Sequence, residues 1–432
     1  MTSSDELRIR GYFFEIINKE LERKMKGIIF FSVLLFSLPF QLSGKVHRVS
    51  KSSELIADVI TLASPHDTII VSGGTYKQGP IIIDKPMTMI GEDYPVLDGE
   101  LKNGVLTIKA DSVWFEGFII KNVSTSYIED LAGIRVSNSS GFTIINNKLH
   151  NTFFGIFLEA SDHGIVENNE VIGEAVDQYN SGNGIHLWQC NNITIINNHV
   201  SKHRDGIYFE FVDNSRIIGN RSDYNLRYGL HFMFSNHDLY ERNIFEKNGA
   251  GVAVMFSKFI NMYYNTFKDN WGQSSYGLLL KEIYDGELIG NTFDRNTIGI
   301  NAEGSNRLII TNNTFIQNGW GIKVLGACFN NTISENNFMY NTFDVAYSGG
   351  LNENTFDKNY WSDYTGYDLD RDGVGDVPYR PVRLFTYVVN QVPESIILIR
   401  SLFVYLIDFS EKVSPIFTPD NLVDAQPKML PY

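Results

Sequence analysis

Cysteine is nearly absent from this sequence. Only Cys190 and Cys328 occur among the 432 residues. They form no CxxC pair, which excludes zinc ribbons and thioredoxin-type redox motifs. We expect both cysteines to be packing or surface residues rather than catalytic thiols.

The sequence also lacks a basic stripe. It has 36 Lys and Arg residues against 50 Asp and Glu residues, which gives a net charge of −14. Nucleic acids and anionic membranes are recognised through clustered Lys and Arg side chains. The charge balance therefore disfavours both as partners. It is compatible with cation binding, but most acidic proteins are simply soluble.

Long apolar runs are few, and the first lies near the N-terminus. The stretch IIFFSVLLFSLPFQL, residues 28–42, follows Arg23, Lys24 and Lys26. A short apolar run after basic residues is typical of a secretory signal peptide. We interpret residues 1–44 as an over-extended start plus a signal peptide beginning at Met25, with an uncleaved anchor as the alternative. In either case the rest of the chain is expected to be extracytoplasmic.

A repeat organises the sequence from residue 133 onward. The pattern is Gly-apolar-x-apolar followed fourteen residues later by Asn, and most repeats are 22 or 23 residues long. The glycines are Gly133, Gly155, Gly184, Gly206, Gly229, Gly251, Gly277, Gly299 and Gly321. The asparagines are Asn147, Asn169, Asn198, Asn220, Asn243, Asn265, Asn291 and Asn313, with Asn336 displaced by one residue.

This period, with short alternating strands, predicts an all-β, right-handed parallel β-helix of about 22-residue coils over residues 45–382. Equivalent asparagines are expected to form a hydrogen-bonded ladder between coils. Two residues further on, an aromatic column is expected to stack inside; it comprises Phe245, Phe267, Phe293, Phe315, Phe338 and Phe356. Six coils separate the two cysteines by roughly 29 Å, which is too far for a disulfide.

The x positions of the repeat are expected to face outward. The first outward column includes Phe157, His186, Tyr208, His231 and Leu279, and the second includes Trp188, Glu210, Met233 and Met255. Two repeats carry extra residues, at 172–183 and 268–276, which are expected to form loops on one side of the solenoid.

The stretch RYGLHFMFSNHD, residues 227–238, suggests three interpretations of this outward face. His231, Met233 and Met255 suit a soft metal such as Cu(I), with His186 and Glu210 nearby. Alternatively, Phe157, Trp188 and Tyr208 belong to an exposed apolar patch that contacts a partner or ligand. The third interpretation is ordinary packing beneath the inserted loops.

An aspartate-rich stretch follows the repeats. DLDRDGVGD, residues 368–376, spaces Asp368, Asp370, Asp372 and Asp376 as in the first nine positions of a calcium loop. Tyr379 stands where the closing glutamate would be. A structural calcium site and an aspartate-rich turn without metal are both compatible with this pattern.

Residues 383–432 change character again. Pro393 can start a helix, and Ser395 to Val413 is strongly apolar apart from Arg400 and a few polar residues. The segment is too short and interrupted for a secure membrane span. It can cap the last coil or form a helical apolar arm for a hydrophobic partner, and its all-round apolar pattern favours the arm.

The sequence resembles the NosD family. The similarity covers nearly all of residues 45–425, and its most specific parts are RYGLHFMFSNHD, GAGVAVMFSK and NYWSDYTGYDLDRDGVGDVPYRP. The resemblance implies a periplasmic β-helix protein of nitrous-oxide reductase maturation. It further implies transient copper contact and three kinds of partner: an ABC transporter (permease and ATPase), a copper chaperone and the reductase. The apolar arm, including Leu402, Phe403 and Leu406, would dock on the permease.

The sequence therefore favours a non-catalytic assembly factor over an enzyme. No clear group of carboxylates with a basic residue emerges, as a polysaccharide hydrolase or lyase would need. The alternative remains a secreted polysaccharide-binding or epimerase-like or lyase-like β-helix protein, since the Asn/Gly repeats alone are shared with such proteins.

Overall fold

The structure is a computed structural model that describes residues 44–50, 55–126, 128–348, 353–413 and 422–432. The interpretation of residues 1–44 as a start and signal peptide falls almost entirely outside these ranges. None of the helices in the described ranges is long and apolar enough to cross a membrane.

Three parallel sheets run along a solenoid with coils of about 23 residues. Each strand pairs with the strand one coil later, as Tyr228–Met233 does with Ala250–Met255. From Thr68–Val71 onward, consecutive strands along the chain enter different sheets, so each complete coil contributes one strand to each wall. The predicted parallel β-helix is confirmed.

The strands of the three sheets have the following bounds. The 14-stranded sheet contains Val46–Val49, Thr68–Val71, Thr88–Gly91, Trp114–Glu116, Thr143–Ile145, Ile165–Glu167, Thr194–Ile196, Arg216–Ile218, Leu239–Glu241, Asn261–Tyr263, Glu287–Ile289, Ile309–Thr311, Thr332–Ser334 and Thr355–Asp357. The 13-stranded sheet contains Thr75–Tyr76, Val96–Asp98, Ile119–Lys121, Lys148–His150, Glu170–Ile172, His199–Ser201, Arg221–Asp223, Ile244–Glu246, Thr266–Lys268, Thr292–Asp294, Thr314–Ile316, Asn337–Met339 and Tyr360–Trp361. The 12-stranded sheet contains Ile81–Ile83, Leu106–Ile108, Ala132–Ser137, Phe154–Glu159, Ile185–Asn191, Asp205–Asp213, Tyr228–Met233, Ala250–Met255, Leu278–Lys281, Ile298–Glu303, Trp320–Leu325 and Phe343–Ser348.

The predicted asparagine ladder lies buried between the 14- and 13-stranded sheets. Asn265 shows its chemistry: its Oδ1 accepts from the backbone N–H of Asn243 at 3.0 Å and from Asn243 Nδ2 at 2.9 Å. Its own Nδ2 donates to the carbonyl of Tyr240 at 2.9 Å and to Asn291 Oδ1 at 3.0 Å. Each amide thus satisfies backbone groups that a turn leaves without strand partners. The ladder continues through Asn336 to Asn359.

The predicted aromatic column is also present. Phe267, Phe293, Phe315 and Phe338 stack with centroid separations of 4.6 to 4.8 Å, close to the strand spacing. The prediction that Phe356 ends this column is wrong. Phe338 stacks on Trp361 instead, because Phe356 lies in the 14-stranded sheet opposite Ile333.

Short helices cover parts of the solenoid. Helix α1, Ile56–Leu62, buries Ile56, Val59 and Ile60 near the first coils. After the last coil come α2, Leu384–Gln391, a 3₁₀ helix, Pro393–Leu398, and α3, Leu402–Val413.

The final residues return to the solenoid. Asp424 is buried and its Oδ2 accepts hydrogen bonds from the backbone N–H and Nδ2 of Asn359 and from Trp361 Nε1. One carboxylate thereby terminates both the asparagine ladder and the aromatic column. Within the segment predicted as one arm over 383–432, residues 422–432 therefore cap the last coil.

Cys190 and Cys328 are buried and are not joined to each other. Burial raises the pKa of the Cys190 thiol to about 11. A protonated, buried thiol packs as a small apolar side chain, as expected from the sequence.

Candidate functional site

The outer surface of the 12-stranded sheet carries the predicted outward columns. Strand register places Tyr208 opposite His231 and Glu210 opposite Met233. It also places Met233 opposite Met255, with Trp188 one coil before Glu210. The predicted order of side chains along this surface is confirmed.

Met233 and Met255 form a pair of thioethers on this surface. The two residues are directly opposite in adjacent parallel strands, and both are partly exposed. Their Cα atoms are therefore about 4.8 Å apart, a separation that two flexible thioethers can bridge around one ion. Soft sulfur ligands of this kind favour Cu(I).

The first outward column is more enclosed than the sequence predicts. Phe157 is only 4% exposed, so its assignment to an exposed patch is wrong. His186 stacks on its ring at 4.6 Å, Phe154 meets it edge-on at 5.3 Å, and the Arg135 guanidinium lies 5.1 Å from its centroid. Leu279 is buried as well.

His231 lies on the outer surface of the sheet but is only 3% exposed. The rings of Tyr208 and Tyr228 enclose it at 5.0 and 4.8 Å. Its Nδ1 lies 3.8 Å from Oδ2 of the fully buried Asp205. Within the described part of the chain, neither His231 nitrogen and neither Asp205 carboxylate oxygen has a hydrogen-bond partner.

This pair is an incomplete polar site. An unsatisfied buried polar group costs about 1–3 kcal/mol, so native proteins usually complete such groups with water, an ion or a ligand. Arg204 Nε and Arg227 Nη1 lie 3.5 and 3.9 Å from Asp205 Oδ2 and partly balance its charge.

His186 is less suited to binding a metal directly. Asn183 Nδ2 donates to His186 Nδ1 over 3.0 Å, so the neutral ring carries its proton on Nε2 and has no free lone pair. Burial, helped by the nearby Arg204 charge, lowers the pKa of His186 to about 3. The ring stays neutral throughout the physiological range.

Trp188, Tyr208 and Glu210 remain partly exposed. The Tyr208 hydroxyl donates to Glu210 Oε2 at 3.3 Å. Burial, together with the Glu210 charge, raises the pKa of Tyr208 to about 12. This edge of the surface therefore offers an aromatic indole, a neutral phenol and one carboxylate beside the thioether pair.

The aspartate-rich stretch folds into a loop that gathers three of its four predicted ligands. Carboxylate oxygens of Asp368, Asp370 and Asp372 all lie within 4.8 Å of one another. Asp376 is engaged elsewhere, because its Oδ2 accepts from the backbone N–H of Leu369 at 2.7 Å. The Asp372 backbone N–H lowers the pKa of Asp370, but the neighbouring carboxylates outweigh it and raise that pKa overall.

The apolar arm has a packed side and an exposed side. Phe385, Val389 and Val404 pack against Trp320, Phe343 and Ala346 on the last coils of the 12-stranded sheet. Leu402, Phe403 and Leu406 are 75%, 55% and 57% exposed. The arm residues predicted to bind a partner are therefore accessible.

One feature of the surface was missed by reasoning from sequence. Phe211, Phe234 and Phe256 stack beside Glu210, Met233 and Met255, with centroid separations of 5.3 Å. We call these three residues the outer phenylalanine ladder. The signal was available, since each follows the second outward position in three consecutive repeats.

Comparisons with known proteins agree with this architecture. The family described as "Periplasmic copper-binding protein (NosD)" matches residues 172–366. The chain is 30% identical over 378 residues to the "Probable ABC transporter binding protein NosD" of Pseudomonas aeruginosa, covering 83% of this chain and 87% of that protein. It is 28% identical over 372 residues to the protein of the same description from Stutzerimonas stutzeri, covering 82% and 84%.

Among solved structures, the catalytic unit of an α-1,3-glucanase from Streptomyces thermodiastaticus is similar, with a TM-score of 0.53 and 12% identity. The likeness covers 71% of this chain and 66% of that one, and it shows the fold alone. The two bacterial relatives match across most of their length, and on that evidence this chain belongs to the NosD family.

Proposed function

We propose that this protein is a non-catalytic periplasmic assembly factor for the copper–sulfur centre of nitrous-oxide reductase. It acts beside an ABC transporter, formed by a permease and an ATPase, and receives copper from a copper chaperone. The family's description as periplasmic and copper-binding supports this role, as do relatives named for binding an ABC transporter rather than for an enzymatic activity.

The thioether pair is the observation that carries the proposal. Met233 and Met255 occupy facing positions on an accessible surface. Two thioethers hold Cu(I) weakly, because the ion prefers further soft or imidazole ligands. Weak, incomplete coordination suits a protein that accepts an ion and passes it on.

His231 and Glu210 extend this contact region. Glu210 lies opposite Met233, whereas His231 must turn out from between Tyr208 and Tyr228 to reach a surface ion. We therefore propose that the methionines make the first contact and that His231 joins when the tyrosines move. His186 acts as a neutral packing partner of Tyr208 unless its bond from Asn183 breaks.

The exposed side of the arm is proposed to dock on the permease. Leu402, Phe403 and Leu406 present an apolar surface on α3 while Val404 anchors the helix to the solenoid. Burying large apolar side chains of this kind supplies most of the energy of a protein interface.

Cu(I) titration against a competing chelator tests the copper contact. The full mature chain is compared with Met233→Leu/Met255→Leu, which keeps side-chain volume but removes both sulfurs. Met339→Leu, a partly exposed methionine on the 13-stranded sheet, is the matched control. We expect the double variant to lose at least tenfold in affinity and the control to match wild type.

Substitution separates the two kinds of ligand. Met233→Leu/Met255→Leu removes both thioethers and leaves the imidazole, whereas His231→Asn removes the imidazole and leaves both thioethers. We expect the methionine variant to lose more affinity for Cu(I) than His231→Asn does, because His231 is enclosed by Tyr208 and Tyr228. Absence of any Cu(I) binding by the wild-type chain would contradict the proposal.

A structural calcium ion at Asp368, Asp370 and Asp372 remains a separate proposal. Three carboxylates within 4.8 Å repel one another, and a divalent cation would relieve that repulsion. Calcium is expected to raise the melting temperature of the wild type but not of Asp368→Asn/Asp370→Asn. Equal melting temperatures with calcium and with chelator would contradict it.

A further inference from the structure

The outer phenylalanine ladder presents apolar rings to solvent in an unfavourable backbone conformation. Phe211 and Phe234 are 47% and 40% exposed, and Phe256 is partly buried. All three have positive φ angles, of 56°, 50° and 53°. Bulky side chains rarely adopt this left-handed region, and such strain tends to persist where function requires it.

Other coils place different residues at the same turn. Asn138, Gln189, Glu282, Gly304 and Gly326 occupy the equivalent position, all with positive φ. Polar residues and glycine tolerate this conformation and face water at little cost. The solenoid therefore does not need phenylalanine here, and three consecutive coils carry it for another reason.

Exposed tyrosines at other left-handed turns differ in their surroundings. Lys247 Nζ lies 5.4 Å from the centroid of the Tyr224 ring, and the Arg242 guanidinium lies 5.5 Å from the centroid of the Tyr264 ring. Those tyrosines also keep a hydroxyl for water. The ladder phenylalanines have no hydroxyl, and they stack on one another instead of beneath a cation.

Ring orientation indicates what kind of partner fits. The Phe234 ring lies within 11° of parallel to Phe211 and 13° of parallel to Phe256, so its two faces are covered. Because both faces are covered, the exposed part of the ring is its edge. Sugar rings bind aromatic faces, whereas ring edges suit apolar protein side chains. The ladder therefore favours a protein over a polysaccharide.

The position of the ladder indicates what that protein carries. Each rung directly follows Glu210, Met233 or Met255 in sequence, so the ladder adjoins the thioether pair. The packed side of the arm lies on later coils, at Trp320 and Phe343, and so leaves this region accessible. Two thioethers are an incomplete Cu(I) site, and a partner seated on the ladder would bring the remaining ligands within reach.

We propose that the outer phenylalanine ladder docks a protein that carries Cu(I) on its own sulfur ligands and aligns that ion with Met233 and Met255. The inference rests on the proposed copper function and adds the surface that the copper-bearing partner recognises. Removing the ladder should therefore slow protein-to-protein transfer of Cu(I) without changing the affinity for Cu(I) supplied by a small chelator.

Crosslinking identifies the partner. The photoreactive phenylalanine analogue benzoylphenylalanine replaces Phe234 in the full chain, expressed in its native host. A control chain carries the analogue at Tyr264, on another face. We expect a specific crosslink at position 234 to a protein that binds Cu(I) when purified alone.

The rate of Cu(I) transfer from that purified, Cu(I)-loaded protein is then measured to the wild-type chain and to Phe211→Asn/Phe234→Asn/Phe256→Asn, the ladder variant. Asparagine suits the left-handed turn, so the variant is expected to fold, which circular dichroism checks. Tyr224→Asn/Tyr264→Asn/Tyr340→Asn, three exposed residues at equally left-handed positions, is the matched control. We expect at least tenfold slower transfer to the ladder variant and normal transfer to the control.

Several outcomes would overturn the inference. The inference is wrong if position 234 crosslinks to no protein, or only to a second copy of this chain. It is also wrong if the crosslinked protein binds no Cu(I), or if Cu(I) transfer to the ladder variant is as fast as transfer to wild type. Unchanged transfer alongside normal Cu(I) titration would leave the proposed copper function standing. Failure of the wild type to accept Cu(I) from either source would refute both.

Discussion

Two stacks of phenylalanine run along the same solenoid, one inside and one outside. The inner stack includes Phe267, Phe293 and Phe315 and is fully buried, with centroid separations of 4.6 and 4.8 Å. The outer phenylalanine ladder stacks at 5.3 Å with two rungs at least 40% exposed. Strand spacing imposes similar stacking on both, so stacking alone does not distinguish a core from a binding surface.

Burial decides what each stack does. An inner ring gains from leaving water and from close contact on all sides, so the inner stack stabilises the fold. An outer ring keeps much of its apolar surface in water, and that energy is released only when a partner covers it. The comparison predicts large stability effects inside the solenoid and small ones outside.

The largest effect is expected for Phe293→Ala. It removes a ring packed between Phe267 and Phe315, and is expected to cost about 3–5 kcal/mol of unfolding free energy through lost burial and a cavity. Urea unfolding followed by circular dichroism measures this. If Phe293→Ala lost less unfolding free energy than Phe234→Ala, the distinction between a stabilising inner stack and a weakly stabilising outer ladder would be wrong.

Asn265→Ala tests the polar counterpart of the inner stack. It leaves the backbone N–H of Asn243 and the carbonyl of Tyr240 without their side-chain partners. We expect a loss of about 2–4 kcal/mol, because these groups are buried. Asn261→Ala makes the same substitution at a partly exposed strand position of the 14-stranded sheet and serves as the control in the same unfolding assay.

Asp344→Asn tests a buried charge under the arm, beside a cavity of about 170 Å³. Burial raises the pKa of Asp344 to about 7, although the Asn341 amide bond lowers it. The unfolded carboxyl ionises near pH 4, so the wild type loses stability as pH rises from about 4 to 7. The variant is expected to be more stable by about 1–2 kcal/mol at pH 8 and equal at pH 4.

Unfolding midpoints at both pH values check this prediction. Asp93→Asn is the control, since Asp93 is an exposed carboxylate near the first coils, away from the arm. If Asp344→Asn were less stable than wild type at pH 8, the carboxylate would be a favourable partner of the arm instead of a penalty beneath it.

The smallest effect is expected for the triple asparagine variant of the outer ladder. Its unfolding free energy should stay within about 1 kcal/mol of wild type, because exposed rings contribute little and asparagine relieves the left-handed turn. The same urea assay measures it. A loss similar to that of Phe293→Ala would show that the ladder belongs to the core and would remove the basis for a docking surface.

Much of the fold could be predicted from the sequence, because each coil of a solenoid repeats the same arrangement of strands and turns. The asparagine ladder and most of the aromatic column were predictable, since each coil must satisfy the same backbone groups at the same offset. Prediction failed at the end of the column, where Trp361 replaces Phe356. The spacing itself is kept, since Trp361 lies 23 residues after Phe338, whereas the predicted Phe356 lies only 18 residues after it. The prediction continued the column with the next phenylalanine instead of with the residue one full coil later.

The candidate site was predictable in its order but not in its exposure. Alternation placed His231, Met233 and Met255 on the outer surface, and the register agrees. Alternation could not reveal that Tyr208 and Tyr228 close over His231, or that Asp205 lies 3.8 Å from it. The exposed side of the arm could be suggested from sequence, but which residues it buries could not.

The sequence by itself determined the coil, its register and the side chains that line each wall, because these follow from a period enforced by backbone hydrogen bonding. Only the tertiary structure decided which outward side chains remain accessible. Exposure depends on how side chains from neighbouring coils lean over one another, and that arrangement is set by contacts between residues about 23 positions apart. This is why Phe157 and His231 are buried, whereas Met233 and Phe234 on the same surface remain within reach of a partner.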